Sequence, residues 1–529
     1  MKILGLGGSQ HDFCSCLLKD GKIIRAIAEE RLSGEKNAIG IRSRVFNSIN
    51  YCLEPGLNVS DLDLIVDNNL MEKFSLANAN KKYLQHIISI NHHMAHLSAS
   101  YYTSGFKKAA CLVLDGYGSG YNENKYVEIH TEAIADSGDI ERVQTVYSNM
   151  SQYTTASLGH FYLYFTYQCD FLYGEEGKLM GLASYGTAKY VDVIKSCMEP
   201  EKHIYLNIDV KNKVKEIIDK DGNSFQTKAD LAHAAQIILE DNVFDILNQL
   251  YQKTKCDNLC FSGGIALNSA LNGKIKKQTS FKNVYVFPAS GDNGTAIGAA
   301  LYGYYNILKQ PYLGRERQTN VYFGKSYNDK DILDTLGKYK DKVNYIKYPF
   351  DQMLDIVSRA IACGEIIGWH QDGCETGPRA LGNRSILADP RNAEMKDILN
   401  NKVKFREDFR PFAPVVMFEY VHDYFETDFT DNPFMLYIGK VKENKIEIIP
   451  AVTHVDKTAR FQTVSKKNNF KLYSLLEKFY KLTGVPVLIN TSLNIKGRPI
   501  AETPKDTLYC LLNSQIDKII IGDYLIRKK

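Results

Sequence analysis

Apolar and polar residues near the N-terminus form a pattern that occurs twice. Residues 2–30 show an apolar strand, a glycine-rich turn and two further strands joined at Asp20-Gly21, a dipeptide typical of tight β-hairpins. Residues 110–133 repeat the order of strand, glycine-rich loop and strand. Two such units predict a duplicated α/β architecture in which each glycine loop can face a phosphate or a metal. Two unrelated hairpins are the alternative.

Two further glycine-rich turns lie between strands and predicted helices. In the segment 259–272 a short apolar strand meets Gly263-Gly264, and in the segment 289–301 a loop with glycines at 291 and 294 runs into a helix of small residues. Turns of this kind let backbone N–H groups approach an anion or a nucleotide closely. Since the sequence lacks complete dinucleotide-binding and P-loop motifs, these turns are the predicted nucleotide-binding positions.

Hydrophobic periodicity stops at residues 310–318, the best candidate for a linker, and resumes from about residue 343. Helical spacing and strand-like runs then alternate to the C-terminus. Helical patterns lie near 351–363, 393–404, 471–483 and 503–514, and strand-like runs at 365–369, 414–418, 434–441, 485–489 and 517–521. We therefore expect two domains, residues 1–325 and residues 340–529, of which the second is also α/β.

The hexapeptide N-H-H-M-A-H at residues 91–96 is the sharpest chemical signal in the chain. With Asn91 as the N-cap of a helix, His92 and His96 fall at positions i and i+4 of one face, a spacing at which two imidazoles can bind one cation. His93 then points elsewhere. Polar surface histidines are the alternative interpretation of the same pattern.

Two aspartates strengthen the interpretation as a metal site. Asp115 ends the apolar strand A-C-L-V-L-D, and Asp292 lies in S-G-D-N-G between a strand and a helix. Either residue alone is more typical of a cap or a turn. Together with His92 and His96 they form a donor set that suits a divalent ion with open coordination positions, Fe²⁺ first, with Mn²⁺ and Zn²⁺ as alternatives.

The C-terminal half concentrates cations beside glycine and proline. The segments 377–385 and 402–412 contain Arg379, Arg384, Lys402, Lys404, Arg406 and Arg410. Such a cluster, with Arg460 and the polar strand end I-N-T-S-L-N at residues 489–494, suits a triphosphate and a second phosphate ligand. RNA binding and a solvated charged face are the alternatives.

Two polar residues of the N-terminal region are further candidates. His11 follows the first glycine turn, and Lys36 follows the acidic E-E-R at residues 29–31. His11 could serve as a general base or a substrate contact. A turn histidine and a solvated lysine fit the pattern equally well.

Composition narrows the function classes. The net charge of +4, from 65 basic and 61 acidic residues, gives no argument for binding to nucleic acid or to a membrane surface. The 11 cysteines contain no C-x-x-C pair, which is typical of reduced thiols in the cytoplasm, and no apolar run approaches the roughly 20 residues that span a bilayer. We expect a cytoplasmic protein, with a homodimer as the base-rate expectation for its assembly.

Taken in order, a set of motifs along nearly the whole chain resembles the carbamoyltransferases of nodulation-factor, tobramycin, cephamycin and ansamycin pathways. The first marks are H-D after the first turn, A-E-E-R-L-S-G-E-K-N, N-H-H-M-A-H, V-L-D-G and G-E-E-G-K-L-M-G-L-A-S-Y-G. Further along come S-G-G-I-A-L-N, S-G-D-N-G-T-A-I-G-A-A, G-P-R-A-L-G-N-R-S-I-L-A-D-P, F-R-P-F-A-P and N-T-S-L-N. In this order the set is highly specific.

The resemblance implies a fold and a reaction. The N-terminal domain would have a duplicated actin/Hsp70-like (Kae1-like) ATPase fold, and the C-terminal domain a YrdC-like α/β fold. The second would use carbamoyl phosphate and ATP, with Mg²⁺, to form carbamoyl-adenylate, and the first would pass the carbamoyl group to a hydroxyl of a small-molecule acceptor. An adenylate gives carbamate a good leaving group, and arginines can neutralise the phosphates while the reacting atoms are held close.

The same resemblance assigns roles to residues at matching positions. The iron site would be His92, His96, Asp115 and Asp292. The adenylate site would be Gly263, Gly264, Asn268 and Asn293, with Asn490 as a further cofactor-binding residue. The pocket for carbamoyl phosphate and ATP would be Arg379, Lys404, Arg410, Arg460 and Ser492, and His11 and Lys36 would lie near the site of transfer.

Three other functions use related domains. A tRNA threonylcarbamoyl-type enzyme needs a basic RNA-binding face, for which a net charge of +4 gives no excess. A hydrogenase-maturation carbamoyltransferase carries zinc-binding C-x-x-C pairs, which this sequence lacks. A nucleotide-binding sensor of the actin/Hsp70-like fold would have no use for a second domain with an anion pocket.

Overall fold

The computed structural model describes residues 1–9, 11–38, 47–53, 56–68, 87–121, 125–149, 156–312, 314 and 316–529. These residues fall into two compact units, the first made of Met1–Glu29 with Ile39–Gln318 and the second of Glu30–Ala38 with Thr319–Lys529. The second unit thus includes residues 30–38 and 319–325, which the sequence predicts in the N-terminal domain. Among the described helices, none has the length and apolar character that a membrane-crossing segment requires.

The first unit is α/β, and its strands form two sheets. The strands are β1 (Lys2–Gly7), β2 (Cys14–Lys19), β3 (Lys22–Ala28), β4 (Leu64–Asn68), β5 (Ile87–Ile90), β6 (Lys108–Leu114), β7 (Gly120–Tyr121), β8 (Tyr126–Asp136), β9 (Asp139–Asn149), β10 (Asn258–Ser262) and β11 (Asn283–Val286). The α-helices up to residue 302 are α1 (Glu29–Ser33), α2 (Asn47–Cys52), α3 (His92–Ser104), α4 (Leu158–Gln168), α5 (Glu176–Leu182), α6 (Val191–Lys195), α7 (Ile208–Asp221), α8 (Phe225–Thr254), α9 (Ser269–Asn272), α10 (Ile275–Gln278) and α11 (Thr295–Tyr302).

The two sheets have the same topology. In the first sheet the order is β3-β2-β1-β4-β5. The pairs β3/β2 and β2/β1 are antiparallel, and the pairs β1/β4 and β4/β5 are parallel. In the second sheet the order is β9-β8-β6-β10-β11, with the same directions at each position, and the short β7 also pairs with β8. A shared order with shared directions is what a duplicated α/β architecture predicts.

The hairpin predicted at Asp20-Gly21 is confirmed. Strand β2 ends at Lys19 and pairs with Lys22 at the start of β3, so the loop has two residues. Asp20 and Gly21 have φ values of 47° and 73°. Positive φ at both loop positions is the conformation that matches the right-handed twist of the flanking strands.

Two helices pack against each other and separate the two sheets. Helix α11 contacts β1, β2 and β4 of the first sheet, and helix α3 contacts β6 and β10 of the second. Small residues allow the close approach: a Cβ on Gly298 would lie 1.8 Å from the carbonyl oxygen of Ala95, and a Cβ on Gly5 would lie 2.0 Å from that of Ala296. The small-residue helix that follows Asp292 is therefore held directly against the helix of the N-H-H-M-A-H motif.

The second unit has a large mixed sheet and a small antiparallel one. Its strands are β12 (Val343–Lys347), β13 (Ile367–His370), β14 (Arg384–Ala388), β15 (Ala413–Met417), β16 (Phe425–Glu426), β17 (Gly439–Val441), β18 (Thr458–Ala459), β19 (Gln462–Val464), β20 (Val487–Ser492), β21 (Lys518–Ile521) and β22 (Tyr524–Lys528). Its later helices are α12 (Asp329–Lys338), α13 (Phe350–Ala362), α14 (Met395–Leu399), α15 (Val421–Tyr424), α16 (Phe470–Thr483) and α17 (Pro504–Leu512).

The large sheet and the helices packed on it form the core of the second unit. Among the described strands its order is β12-β22-β21-β13-β14-β20-β15-β19. Helices α13 and α16 pack together and contact β13, β15 and β20, while α17 contacts β21 and β13. Trp369 on β13 is fully buried in this core. The strand ends that carry the polar residues of the unit are thereby fixed by an apolar interior.

The predicted elements of the second unit agree in type and differ in length. Helices near 351–363, 471–483 and 503–514 are present as α13, α16 and α17. The helix predicted at 393–404 is split into α14 and a wider π-type turn, Asn400–Lys404. The strand predicted at 434–441 is reduced to β17, because Met435 has a φ of 55° that extended chain does not adopt.

We expect Gly298→Ala to destabilise the first unit, because the added methyl would overlap the carbonyl oxygen of Ala95 and push α3 and α11 apart. Overpacking of this kind costs about 1–3 kcal/mol. Chemical denaturation followed by circular dichroism measures the effect. Gly177→Ala in α5, whose added Cβ would meet nothing within 4 Å, is the control; equal stability of the two variants would contradict the tight contact.

Candidate active site

The helix with the N-H-H-M-A-H motif begins where the sequence predicts. Asn91 is its N-cap: the Oδ1 atom accepts a hydrogen bond from the N–H of Met94 at 3.0 Å, and Nδ2 donates to Glu128 Oε1 at 2.8 Å. His92 and His96 lie one turn apart, and both are buried. The cap and its carboxylate partner fix the end of the helix at which the two imidazoles are presented.

Two aspartates complete a cluster around the ring nitrogens. His92 Nε2 lies 3.1 Å from His96 Nε2, 3.3 Å from Asp115 Oδ2 and 3.4 Å from Asp292 Oδ1. His96 Nε2 lies 3.4 and 3.5 Å from the same two oxygens. Donors bound about 2.0–2.2 Å from one ion are separated by about 3–3.5 Å. The four side chains therefore fit one divalent cation bound by two imidazoles and two carboxylates.

The loops that supply the carboxylates follow two parallel strands of one sheet, β6 and β11, which lie on either side of β10. Asp115 comes directly after β6, and its Oδ1 accepts hydrogen bonds from the N–H groups of Gly116 at 2.8 Å and Gly264 at 3.3 Å, the latter from the turn after β10. Asp292 follows β11, and Thr295 Oγ1 donates to its carbonyl oxygen at 2.7 Å. Strands β6, β10 and β11 are parallel, so their carboxyl ends meet at one edge of the sheet.

The two histidines and the two aspartates also shift one another's pKa values. Burial opposes protonation of His92, but the charge of Asp292 and hydrogen bonds to both aspartates raise its pKa to about 10. Burial likewise opposes protonation of His96, and hydrogen bonds to Asp115 and Asp292 raise its pKa. Burial opposes ionisation of the two aspartates, yet the histidines hold the pKa of each below its ordinary value. The cluster therefore attracts positive charge, as protons or as a metal ion.

The third histidine of the motif lies outside this cluster, as predicted. His93 Nδ1 lies 2.8 Å from Thr131 Oγ1, and a Cβ on Gly118 would lie 2.6 Å from the His93 ring. Burial and the neighbouring His92 lower the pKa of His93 well below its ordinary value. His93 is thus a neutral packing residue behind the helix face that presents the other two rings.

Sequence reasoning missed Asn68, the last residue of β4. Its Nδ2 lies 2.8 Å from His92 Nδ1, 2.8 Å from the carbonyl oxygen of Gly8 and 3.1 Å from Thr295 Oγ1. Asn68 is fully buried. It connects the ring of His92 to the start of α11, and so fixes the orientation of that imidazole from the side opposite the carboxylates. Its position at the polar end of an apolar strand was the available signal.

His11 lies at the exposed side of the cluster. Its Nδ1 is 3.0 Å from Asp12 Oδ2, and its Nε2 is 3.9 Å from Asp292 Oδ2. Burial opposes protonation of His11, but the hydrogen bond with Asp12 and the charge of Asp292 raise its pKa to about 9. The ring of Tyr173 packs edge-on at 5.1 Å and is half-exposed, so this side of the cluster can receive a ligand.

Of the four predicted adenylate residues of the first unit, Gly263, Gly264 and Asn293 lie beside the aspartates of the cluster. Gly263, with a φ of 90°, approaches so closely that a Cβ would lie 2.2 Å from the carbonyl oxygen of Leu114, and Gly264 contacts Asp115. Asn293 is half-buried beside Asp292.

Asn268 is instead bonded within the protein. Its Oδ1 accepts a hydrogen bond from the N–H of Leu271, and its Nδ2 donates to Gln236 Oε1 at 2.9 Å. The glycine turn thus lies at the cation cluster, whereas Asn268 caps the helix that follows the turn. The sequence predicts one helix in this segment, and the structure has two short turns, since Asn268 ends the first and starts the second.

The second unit gathers four arginines. Burial and Arg410 lower the pKa of Arg379 to about 10, and burial and Arg410 lower that of Arg406 to about 9. Burial, with Arg379, Arg406 and Arg410, lowers the pKa of Arg460 well below its ordinary value. The Nε atoms of Arg379 and Arg460 are buried without a hydrogen-bond partner. Half-buried cations that repel each other favour an anion between them.

Lys404 extends this cationic cluster. Its Nζ donates hydrogen bonds to two atoms of Ser492, the carbonyl oxygen and, at 3.2 Å, the Oγ. The same Nζ donates to Asn494 Oδ1 at 2.8 Å. Burial, then Arg406, Arg410 and Lys36 lower the pKa of Lys404. The structure thus brings together the five residues predicted for the phosphate pocket, Arg379, Lys404, Arg410, Arg460 and Ser492.

Three other candidate residues belong to the second unit. Lys36 lies in the segment 30–38 of this unit and acts on Lys404, and its place near the site of transfer stays a prediction. Asn490 also lies in the second unit, where it is buried and donates to Gln462 Oε1 at 2.7 Å and to the carbonyl oxygen of Ala380 at 3.3 Å.

The third is Arg384, which the sequence predicts among the pocket cations. It is fully buried in the core, and its Nη1 donates to the carbonyl oxygen of Gln371 at 2.6 Å while its Nε donates to that of Glu502 at 3.1 Å. Its guanidinium donates hydrogen bonds to backbone carbonyl groups, because Arg384 is the first residue of the central strand β14 and its side chain points into the interior.

Asn68→Ala is expected to weaken the binding of a divalent cation about ten- to a hundredfold, the usual effect of removing a residue that orients a metal ligand. Titration calorimetry with Mn²⁺ measures the affinity. Asn283→Ala, at the exposed start of β11, is the control. Equal affinities of both variants and the parent protein would show that Asn68 does not orient His92.

Cation binding is expected to strengthen as the pH rises from 6 to 9. The pKa of His92 is raised from 6.5 to about 10, so protons compete with the cation over this range, whereas the pKa values of the aspartates are lowered and both stay ionised. Calorimetry in buffers of different ionisation enthalpy should detect released protons. An affinity that does not change with pH would contradict the proposed competition.

Comparison with known proteins shows the family of the chain. Residues 67–301 match the family model "Carbamoyltransferase N-terminus", and residues 358–528 match "Carbamoyltransferase C-terminus". The nodulation protein NolNO of Sinorhizobium fredii is 34% identical, covering 98% of this chain and 79% of its own. The protein sll1178 of Synechocystis is 32% identical over 99% and 96%. The 3'-hydroxymethylcephem-O-carbamoyltransferase of Streptomyces clavuligerus is 31% identical over 67% and 65%. The chain belongs to the carbamoyltransferase family of enzymes.

Proposed function

We propose that the protein is an ATP-dependent O-carbamoyltransferase with a small-molecule acceptor. The second unit, proposed to be YrdC-like, forms carbamoyl-adenylate, and the first, proposed to be Kae1-like, transfers the carbamoyl group to a hydroxyl. The observation that carries the proposal is the group of mutually repelling, half-buried cations around Arg379 and Arg460, whose Nε atoms are buried without a hydrogen-bond partner. A group of that kind suits a polyphosphate, and carbamoyl transfer alone would not require one.

The proposed activation has two balanced steps. Water cleaves carbamoyl phosphate to carbamate and phosphate, and a carbamate oxygen then attacks the α-phosphorus of ATP, whose bond to pyrophosphate breaks. The arginines and Lys404 offset the charge of the phosphates and hold the reacting groups in line. Since Arg379 and Arg460 are half-buried and their Nε atoms are out of contact with solvent, their charges act at a lower dielectric and are stronger than they would be in water. Mg²⁺ accompanies ATP as part of the substrate.

The proposed transfer takes place at the cluster of the first unit. The acceptor hydroxyl attacks the carbamoyl carbon, and the bond to the AMP oxygen breaks. His11 in its neutral form takes the hydroxyl proton; this form is the minor one at neutral pH, because the pKa of His11 is raised to about 9. Asp12 holds its Nδ1, and the nearby carboxylates stabilise the imidazolium that forms. Fe²⁺, with Mn²⁺ or Zn²⁺ as alternatives, would be held by His92, His96, Asp115 and Asp292 and would supply Lewis acidity toward the carbonyl or the phosphate.

The acceptor class follows from what the chain lacks and from its relatives. A net charge of +4 provides no excess for RNA. One relative is named as an O-carbamoyltransferase of a hydroxymethylcephem, a small molecule, and others as nodulation proteins. A small molecule with a free hydroxyl is therefore the proposed partner, and a tRNA modification enzyme and a nucleotide sensor are the alternatives.

Pyrophosphate release from ATP and carbamoyl phosphate tests the proposal. We expect Arg460→Ala and Lys404→Ala to lower the rate at least about a hundredfold, since each removes a charge aimed at the phosphates. Lys402→Ala is the matched control, because Lys402 is exposed two residues from Lys404.

His92→Ala separates the two units in the same assay. It removes a residue of the cation cluster and should leave pyrophosphate release unchanged, because that step is assigned to the second unit. A sensor would release no pyrophosphate. Loss of release in His92→Ala would contradict the division of labour, and full activity of Arg460→Ala would remove the cationic pocket from the mechanism.

A further inference from the structure

The loop that carries Arg379 contains a buried carboxylate with an unusual set of partners. Residues 371–383 connect the antiparallel strands β13 and β14, and Glu375 within this loop is fully buried. Its Oε1 accepts three backbone hydrogen bonds, from the N–H groups of Leu381 at 2.7 Å, Asn383 at 2.8 Å and Arg384 at 3.1 Å. One oxygen thus fixes the chain that returns from Arg379 to the sheet.

Three neutral side chains hold the same stretch by its carbonyl groups. Gln462 Nε2 donates to the carbonyl oxygen of Leu381 at 2.8 Å, and Tyr322 Oη donates to the same atom at 2.9 Å. Asn490 donates to the carbonyl oxygen of Ala380. Leu381 is therefore held at both its N–H and its C=O, and Ala380 is held at its C=O, with Glu375 as the charged member of the set.

This anchoring has a use in the anion pocket. Arg379 is half-buried beside Arg410 and acts on Arg460, and repulsion from like charges would drive a free loop outward. A loop held from behind keeps the guanidinium in the pocket, so that a ligand gains its full attraction without ordering the loop first. Preorganisation of this kind raises affinity and rate without any new contact to the ligand.

We propose that Glu375 is a positioning residue of the anion pocket, which acts through the 371–383 loop to hold Arg379 in place for a polyphosphate. The inference rests on the proposed function in so far as the pocket binds phosphates. It adds a residue that touches no ligand and that the cationic pattern of the sequence does not reveal. It also accounts for the full burial of a carboxylate so near a cluster of arginines.

Titration calorimetry with inorganic pyrophosphate on the full chain tests this role. Glu375→Ala removes the acceptor of three N–H groups, and we expect pyrophosphate binding to weaken about ten- to a hundredfold, as with other residues that orient a binding group. Glu375→Gln keeps an oxygen in the same position and should restore most of the affinity. Glu394→Ala, an exposed glutamate outside the loop, is the control for loss of charge.

A double-mutant cycle distinguishes positioning from a general structural effect. If Glu375 acts through Arg379, the variant with both changes should bind pyrophosphate no more weakly than Arg379→Ala alone. Combined with Arg460→Ala, by contrast, the Glu375→Ala effect should persist. If Glu375→Ala fails to fold, the same cycle is run with Glu375→Asp, which keeps the charge but shortens the reach.

Two results would overturn the role of Glu375: unchanged affinity in Glu375→Ala and Glu375→Asp, or a loss that persists in full when Arg379 is already absent. These outcomes are separate from failure of the proposed function. A parent protein that binds no pyrophosphate would refute the anion pocket itself. A parent that binds it while the cycle shows no coupling would remove only the role of Glu375.

Discussion

Electrostatic repulsion between half-buried cations is the constraint on which the second unit depends. Burial and mutual repulsion both lower the pKa values of Arg379 and Arg460, and neither guanidinium has a hydrogen-bond partner for its Nε. A protein interior keeps such groups only where the rest of the fold holds them or a ligand compensates them. The apolar sheet behind them and the hydrogen-bonded loop beside them do the first, and we assign the second to the phosphates of the substrates.

The first unit meets the opposite constraint. Asp115 and Asp292 are buried together, and their repulsion opposes ionisation of both, but His92 and His96 lie within 3.5 Å of each carboxylate. The scaffold makes the approach possible because Asp115 and Asp292 follow parallel strands of one sheet and the histidines project from a helix packed on that sheet. The tight contact at Gly298 holds this helix against the helix that follows Asp292.

Local patterns predicted the parts of both sites that depend on local structure. The N-cap at Asn91 and the i, i+4 spacing placed His92 and His96 on one face, and strand ends located both aspartates, because helix geometry and parallel strands carry short patterns into space directly. The Asp20-Gly21 hairpin was predictable for the same reason.

What escaped prediction depends on partners far apart in sequence. Lys36 acts on Lys404 because residues 30–38 are part of the second unit. Hydrophobic periodicity does not reveal that this segment joins a unit whose other residues come some 280 positions later. Arg384 looked like a phosphate ligand by composition, but its position at the start of a central strand directs it to carbonyl groups of the core. Asn68 and Glu375 acquire their importance from contacts across the fold. The polar end of an apolar strand could have marked Asn68 as a candidate, but a sequence does not show which distant groups an asparagine or a glutamate contacts.

The two sites differ in net charge in a way that suits the order of the proposed steps. Two carboxylates with two neutral imidazoles carry a charge of −2, so a bound divalent cation makes that cluster neutral overall. The arginines and Lys404 form a strongly positive site, in which the carboxylate of Glu407 lies 3.6 Å from Arg410. A positive site favours the highly charged ATP and carbamoyl phosphate, whereas a neutral one can accept a singly charged carbamoyl-adenylate without holding AMP tightly afterwards. Binding of the phosphate substrates requires a positive site, and release of AMP requires a site without excess positive charge. These different requirements are a physical reason for one enzyme to contain two sites.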